Sequence, residues 1–244
     1  MACGEGPTGR VQKHALPRAR GRVQKHAPPR ARSVLCLGAF THQFRRDLST
    51  CGECADAAVT LCRKPEMPTW LALATQLRGY SLAAQGQARE GIGQMRQALA
   101  AVSAIGREVF APYFRALLAE ALGQVGQAED GLDLLNEALA FIDKTGERFW
   151  EAEVHRLKGA LLLKCSMRNK AKAEAAFNQG IKIAHRQEAK LLELRAATSL
   201  ARLWGENKKR DEAQALLAPV YDWFTEGFDT ADLVDAKALL DQLN

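Results

Sequence analysis

The chain has 244 residues, 47% of them apolar and 25% charged, with six cysteines and a formal net charge of +6. No run approaches the about 20 uninterrupted apolar residues of a membrane-spanning helix, so it reads as a soluble, cytoplasmic chain with no membrane partner. The charge is unevenly divided: residues 1–46 hold ten Lys and Arg against Glu5 alone, a balance of +9, while residues 47–244 hold 24 basic and 27 acidic side chains, a balance of −3.

The basic excess sits in a duplication. GRVQKHALPRAR at residues 9–20 is followed by GRVQKHAPPRAR at 21–32, differing only at Leu16 against Pro28. Rich in Arg and Pro and poor in large apolar side chains, this stretch buries too little surface to offset its ordering entropy. Residues 1–33 are therefore expected to be a disordered basic tail. A nucleic-acid-binding arm and an Arg-rich, acid-poor transit segment are the alternatives. A chain starting near Thr41 is expected to fold without the tail.

From residue 34 the apolar spacing turns helical, with predicted helices at 34–46, 51–63, 68–85, 88–104, 108–125, 128–144, 147–165, 170–187, 189–205, 209–225 and 230–243. Their breaks carry stop chemistry: Pro65, Pro68, Gly86, Gly106, Gly126, Gly146 and the polar 166–169 link. Within each, apolar residues recur at three and four, as in Leu117, Leu118, Ala121, Leu122 and Val125. No period-two alternation predicts a sheet. The first two predicted helices carry Cys51, Cys54 and Cys62 near His42, which could be drawn as a zinc site. The three cysteines share one helical side without a second compact ligand pair, so they read as small buried hydrophobes. No metal or cofactor is expected.

Small residues set a repeat. Gly79, Ala119, Gly159 and Ala201 lie 40, 40 and 42 apart, and Gly91, Gly131, Ala173 and Ala213 follow them by 12, 12, 14 and 12. GQAREG at 86–91 returns as GQAEDG at 126–131. A fixed period of this size marks stacked helical hairpins, whose close crossings require small side chains. Ala39 and Cys51 continue the phase backwards, which gives about five hairpins over 34–244. Helix 230–243 would be the cap, starting from Asp229 or Thr230 and turning Asp232, Asp235, Lys237, Asp241 and Gln242 to water.

The phase of small and large positions resembles the tetratricopeptide repeat, with a period of 40 in place of about 34. The resemblance implies an all-α, right-handed superhelical solenoid of hairpins with a C-terminal capping helix. The segments HQFRRD (42–47), LRGYSLAAQGQAREGI (77–92), LLAEALGQVGQAEDGL (117–132), TGERFWEAEVHRLKGALLL (145–163), ELRAATSLARLW (193–204) and WFTEGFDTADLVDAKALLDQL (223–243) go further. They are similar to the C-terminal repeats of bacterial signalling proteins that join an adenylate/guanylate cyclase to a STAND-type ATPase. That resemblance covers residues 42–244 and lacks the cyclase and ATPase portions. It implies a regulatory arm that binds a protein or peptide, or the absent ATPase/cyclase portion itself.

The sequence has no G-x-x-x-x-G-K-[ST], H-E-x-x-H, G-x-S-x-G or EF-hand loop. The paired acids Glu151 and Glu153 read as first-turn partners of the helix dipole, and His155 and His185 as surface or rim residues. The expected function is a non-catalytic interaction module, with nucleic-acid association through the basic tail as the alternative. Tetratricopeptide arrays line their concave face with the first helix of each hairpin. Carried onto this sequence, that implies a binding face of Gln76, Tyr80, Tyr113, Glu120, Glu153, Arg156, Arg195 and Arg202, with both tyrosines exposed.

Overall fold

A computed structural model of the chain describes residues 29–62, 68–104, 106 and 110–244. Eleven α-helices occur among them: α1 (Pro29–Phe44), α2 (Leu48–Cys62), α3 (Pro68–Ala84), α4 (Ala88–Ala104), α5 (Ala111–Gln124), α6 (Ala128–Thr145), α7 (Glu151–Cys165), α8 (Lys170–Arg186), α9 (Lys190–Glu206), α10 (Arg210–Asp222) and α11 (Ala231–Leu243). A single 3-10 turn, Met167–Asn169, joins α7 to α8. No strand occurs among the described residues. Consecutive helices pair as antiparallel hairpins, each stacks on the next, and α11 closes the far end against α9 and α10. The architecture is an all-α helical solenoid.

The inner and outer helices divide the work. In α5, eleven of fourteen residues are buried, because this helix meets its hairpin partner and the neighbouring hairpins on both sides. In α6, five of eighteen are buried, at Ala128, Gly131, Leu135, Ala138 and Ile142, a single stripe of helical spacing. The eight small positions sit at the crossings and all are buried. A methyl group added to Gly79 would lie 2.6 Å from the Gly91 carbonyl oxygen, and one added to Gly91 would lie 2.3 Å from that of Gly79. Helix backbones that close admit no side chain between them. In the fourth hairpin, Gly159 gives its space to the Phe177 ring, 2.5 Å from where a Cβ would stand.

Helix α1 starts at Pro29, five residues before the expected start, on the last residues of the second duplicated copy. Proline suits a first helical turn, where its missing N–H has no partner to lose. Cys36 and Ala39 of this helix are fully buried, so a chain starting near Thr41 would strip the first hairpin of its core contacts. The expected cutting point is corrected to the residue before Pro29. Residues 1–28, with most of the duplication and the expected disordered tail, lie outside the described residues.

Three of the described cysteines behave as core, while Cys54 and Cys165 are half-buried. Cys36, Cys51 and Cys62 are fully buried, and burial pushes the Cys36 and Cys51 thiols up to about 12, where no thiolate forms at neutral pH. His42 Nδ1 is instead 3.1 Å from Asp47 Oδ2. Among the described residues no cluster of three metal-ligand side chains occurs, and no helix is long and apolar enough to cross a membrane.

Distant hairpins meet. Phe40 and Phe44 of α1 pack on Tyr113 of α5 and Trp150 beside α7, with Phe44 and Trp150 ring centroids 4.6 Å apart. Tyr113 and Trp150 are themselves edge to face at 5.0 Å. The solenoid therefore curves tightly enough to bring its first hairpin against its third and fourth, and this aromatic plug fills the contact.

Candidate functional site

The odd-numbered helices enclose a pocket of about 140 Å³ on the inside of the curve. Helix α1 and its turn contribute Gln43 and Arg46, α3 contributes Tyr80, and α5 contributes Leu117 and Glu120. Trp150, Glu153, Arg156 and Leu157 come from the start of α7. Arg195, Thr198, Ser199 and Arg202 form one face of α9, at i, i+3, i+4 and i+7, and Asp232 and Asp235 come from the first turns of α11.

Most of these side chains are locked to one another. Glu153 is 4% exposed and accepts from Arg156 at 2.9 and 2.7 Å, with Arg195 Nη1 3.9 Å away. Arg195 donates to Asp232 Oδ2 through Nε at 3.0 Å and Nη2 at 2.8 Å, and to the Phe44 carbonyl of the first hairpin. Arg46 donates to Asp232 at 3.3 Å and to Asp235 at 2.6 Å. Tyr80 donates its hydroxyl to Glu120 at 3.0 Å, and Arg156 reaches the other Glu120 oxygen at 4.0 Å. Bidentate guanidinium–carboxylate pairing of this kind fixes geometry as well as charge.

The electrostatics follow from burial and pairing. Burial pushes the Glu153 carboxyl up, but Arg156 and Arg195 outweigh it, and the group is held below the ordinary carboxylate range. Burial pulls Arg195 down, and Glu153 and Asp232 reverse it, leaving the guanidinium raised and charged. Burial and then the Glu120 charge raise the Tyr80 hydroxyl well above its usual value, so it stays a neutral donor.

Backbone geometry marks the same place. Arg46 has φ 58, a left-handed conformation, at the turn position that Gly86 and Gly126 occupy 40 and 80 residues later with φ 92 and 83. A non-glycine residue there costs on the order of 1–2 kcal/mol. The first hairpin keeps an arginine at that cost, and the arginine reaches the cap helix.

Three polar groups on the pocket wall have no partner among the described residues. Trp150 Nε1 and Thr198 Oγ1 are buried without a hydrogen bond, in residues 1% and 7% exposed. Arg202 stands exposed at the rim with no ion pair. A buried unmet donor costs about 1–3 kcal/mol, and these two belong to residues that line the recess.

The expected binding face is only partly assembled. Tyr80, Glu120, Glu153, Arg156, Arg195 and Arg202 line this pocket. Gln76 does not: it is fully buried and donates through Nε2 to the Phe114 carbonyl at 3.0 Å. Tyr113 is fully buried in the aromatic plug, its hydroxyl donating to Gln43 Oε1 at 2.9 Å. The two tyrosines expected to be exposed are both buried, because the first hairpin folds back over the concave face at their level. Glu153 is a first-turn acid of α7, as expected, and is also a buried ion-pair member. Asp232 of the cap, expected to face water, is corrected: it faces inward at 5% exposure.

Sequence reasoning overlooked Gln43, Arg46, Trp150, Thr198, Ser199 and the inward role of Asp232 and Asp235. A signal existed for several. Arg195, Thr198, Ser199 and Arg202 make a polar stripe at helical spacing on a helix whose other sides are apolar. Glu153 with Arg156, and Asp232 with Asp235, repeat the i, i+3 spacing. Trp150 gave no such signal, since its ring partners Phe44 and Tyr113 come from two other hairpins.

No protein-family model and no curated protein sequence matches the chain. Solved structures do. The "putative kinesin light chain nearly identical TPR-like repeats" of Podosopora anserina align with a TM-score of 0.53 at 20% identity over 80% of this chain and 95% of that one. Bacillus thuringiensis PlcR, solved with the peptide PapR7 and DNA, aligns at 0.68 and 9% identity over 89% and 75%. The apo form of RapI aligns at 0.62 and 12% identity over 88% and 82%. The fold is tetratricopeptide-like. Identities this low establish the architecture of this tetratricopeptide-like chain and nothing about its ligand.

Proposed function

We propose that this chain is a non-catalytic interaction module that binds a protein or peptide segment in the pocket enclosed by its inner helices. The observation that carries the reading is the convergence of polar side chains from six inner helices on one recess, with the outer helices left as plain amphipathic supports. The peptide seen with PlcR, a protein of similar fold, adds support. The sequence resemblance extends the proposal: the module would serve as the regulatory arm of a bacterial signalling ATPase or cyclase.

Arg202→Ala is the cleanest test, since Arg202 is exposed and holds no ion pair. Any partner recovered by pull-down should lose at least about 1 kcal/mol of affinity, the scale of an interface hot spot. Unchanged titration with the fold intact would remove the pocket from the proposal. For the signalling role, adding the chain to a STAND-type ATPase segment from the same genome should change its rate of ATP hydrolysis. An unaltered rate would reject that role.

A further inference from the structure

The first and last helices of the solenoid present different outer faces. At the cap, α11 turns Val234 outward among Lys237, Asp241 and Gln242, and the lysine and the aspartate pair with each other. A polar outer face of that kind closes a stack of repeats against water. The first hairpin has none. Its helix α1 sends Cys36 and Ala39 into the core and Phe40 and Phe44 onto the aromatic plug. Val34, Leu37 and Thr41, at i, i+3 and i+7, face away from both, with Val34 66% and Leu37 51% exposed.

The repeat shows what such positions are for. Ala74 and Leu77, Phe114 and Leu117, and Val154 and Leu157 stand 40, 80 and 120 residues after Val34 and Leu37, and all six are buried. In those hairpins the preceding hairpin covers the flank. On α1 nothing among the described residues does. Helix α2 continues the bare flank. It meets α3 along Leu48, whose carbonyl accepts from Ser81 Oγ at 2.7 Å, and Gly52, where an added methyl group would lie 2.6 Å from the same oxygen. Cys54, Ala57 and Leu61 lie on the side away from α3 and are half-buried.

Size and shape then choose the occupant. Helices α1 and α2, of 16 and 15 residues, outline a face of about 24 by 20 Å, near 500 Å². Two such faces make about 1,000 Å², where specific interfaces begin. The flank also complements itself. Val34 and Leu37 are large, Cys54 and Ala57 are small, and a methyl group added to Gly38 beside them would meet only Cys54 Sγ, at 3.9 Å. Leu37 is seven residues before the end of α1 and Cys54 six after the start of α2, so both lie about 10 Å from the turn. Val34 and Ala57, at ten and nine, lie about 14 Å from it. A two-fold axis parallel to the helices keeps those heights and lays α1 of each copy over α2 of the other, large side chain on small. Arg45 and Glu53, both exposed towards the turn, add opposite charges at the rim.

We infer that two copies of the chain stack end to end through the first hairpin, each α1 on the other's α2. The stack goes beyond the interaction pocket, which opens on the inner face, and stands independently of it.

Sedimentation velocity of the full chain, from low to high micromolar concentration, tests it: the species should pass from one chain mass to two. Val34→Glu and Leu37→Glu should each raise the midpoint at least about tenfold, the scale of an interface hot spot, and Val234→Glu on the cap should leave it alone. A second measurement is independent of affinity. With oxidised glutathione, Leu37→Cys should cross-link to Cys54 of the second copy, giving a covalent dimer that adding Cys54→Ser abolishes. A single chain mass at every concentration overturns the stack. If Leu37→Glu then also lowers the melting temperature by several degrees, residues 1–28 of the same chain cover the flank instead. A dimer that Val234→Glu dissolves while Leu37→Glu spares it overturns the stack in favour of the cap. So does one that both Glu variants of α1 leave intact and Leu37→Cys fails to cross-link, in favour of some other face.

Discussion

The inner helix α9 and the outer helix α6 obey different rules. Helix α6 buries one apolar stripe and leaves the rest to water, so its sequence is close to a plain amphipathic pattern. Helix α9 buries ten of seventeen residues, among them Glu193, Arg195 and Thr198. It is enclosed by its hairpin partner, by both flanking helices and by the pocket, so even its polar residues are taken from water. A polar residue on the outer layer is optional, whereas one on the inner layer must find a partner or face a ligand.

The largest break in that contrast should come from Arg195→Met. Removing the guanidinium leaves Asp232 and part of Glu153 buried without their cation, which costs about 3–5 kcal/mol for a buried pair broken on one side. Urea denaturation measures it, and a loss below about 1 kcal/mol would mean that water already screens the cluster. Next is Gly159→Leu, where the added side chain meets the Phe177 ring; overpacking should cost about 1–3 kcal/mol in the same assay.

Acid should act on the inner layer as well. The Glu153 pKa is depressed in the folded chain, so its contribution is whole above the unfolded value of about 4.3 and lost as pH falls through the lower folded value. Melting temperatures followed from pH 5 to pH 3 should fall more steeply for the parent than for Glu153→Gln. Parallel curves would show that Glu153 does not hold its charge as the pairing implies.

Arg46→Gly sets two effects against each other. It relieves the left-handed strain at φ 58 and removes the links of a half-exposed guanidinium to buried Asp232 and half-exposed Asp235. The net change should stay below about 1 kcal/mol, in line with exposed pairs, and a larger loss would show that the tie between the ends is a main support. The smallest effect is expected on an outer helix: Lys182→Ala, exposed on α8, should stay within about 0.5 kcal/mol.

The repeat itself was legible, and for a local reason. Small residues at period 40 and apolar stripes at three and four depend on one helix meeting its chain neighbour, so Gly79 with Gly91 and Gly159 with Ala173 could be read as crossings. Helix bounds read from glycine and proline fell within a few residues of those observed at most ends. The largest exceptions are two starts: α1 begins at Pro29, ahead of the expected 34, and α7 begins at Glu151 after a turn that places Trp150 inward. The polar stripe of α9 was also in the letters, although its burial was not.

What the sequence determined is therefore the hairpin and its period, because these rest on contacts a few tens of residues apart, while the choice of inner helix came from the resemblance. Only the tertiary structure decided that the curve closes. The tie of Arg46 to Asp232, the seating of Phe44 on Trp150 and the burial of Tyr113 join residues about 40 to 190 positions apart. Small rotations between successive hairpins accumulate over five of them, and no local pattern records their sum. That sum narrows an open groove to a pocket, and it moves Tyr113 from the binding face into the core.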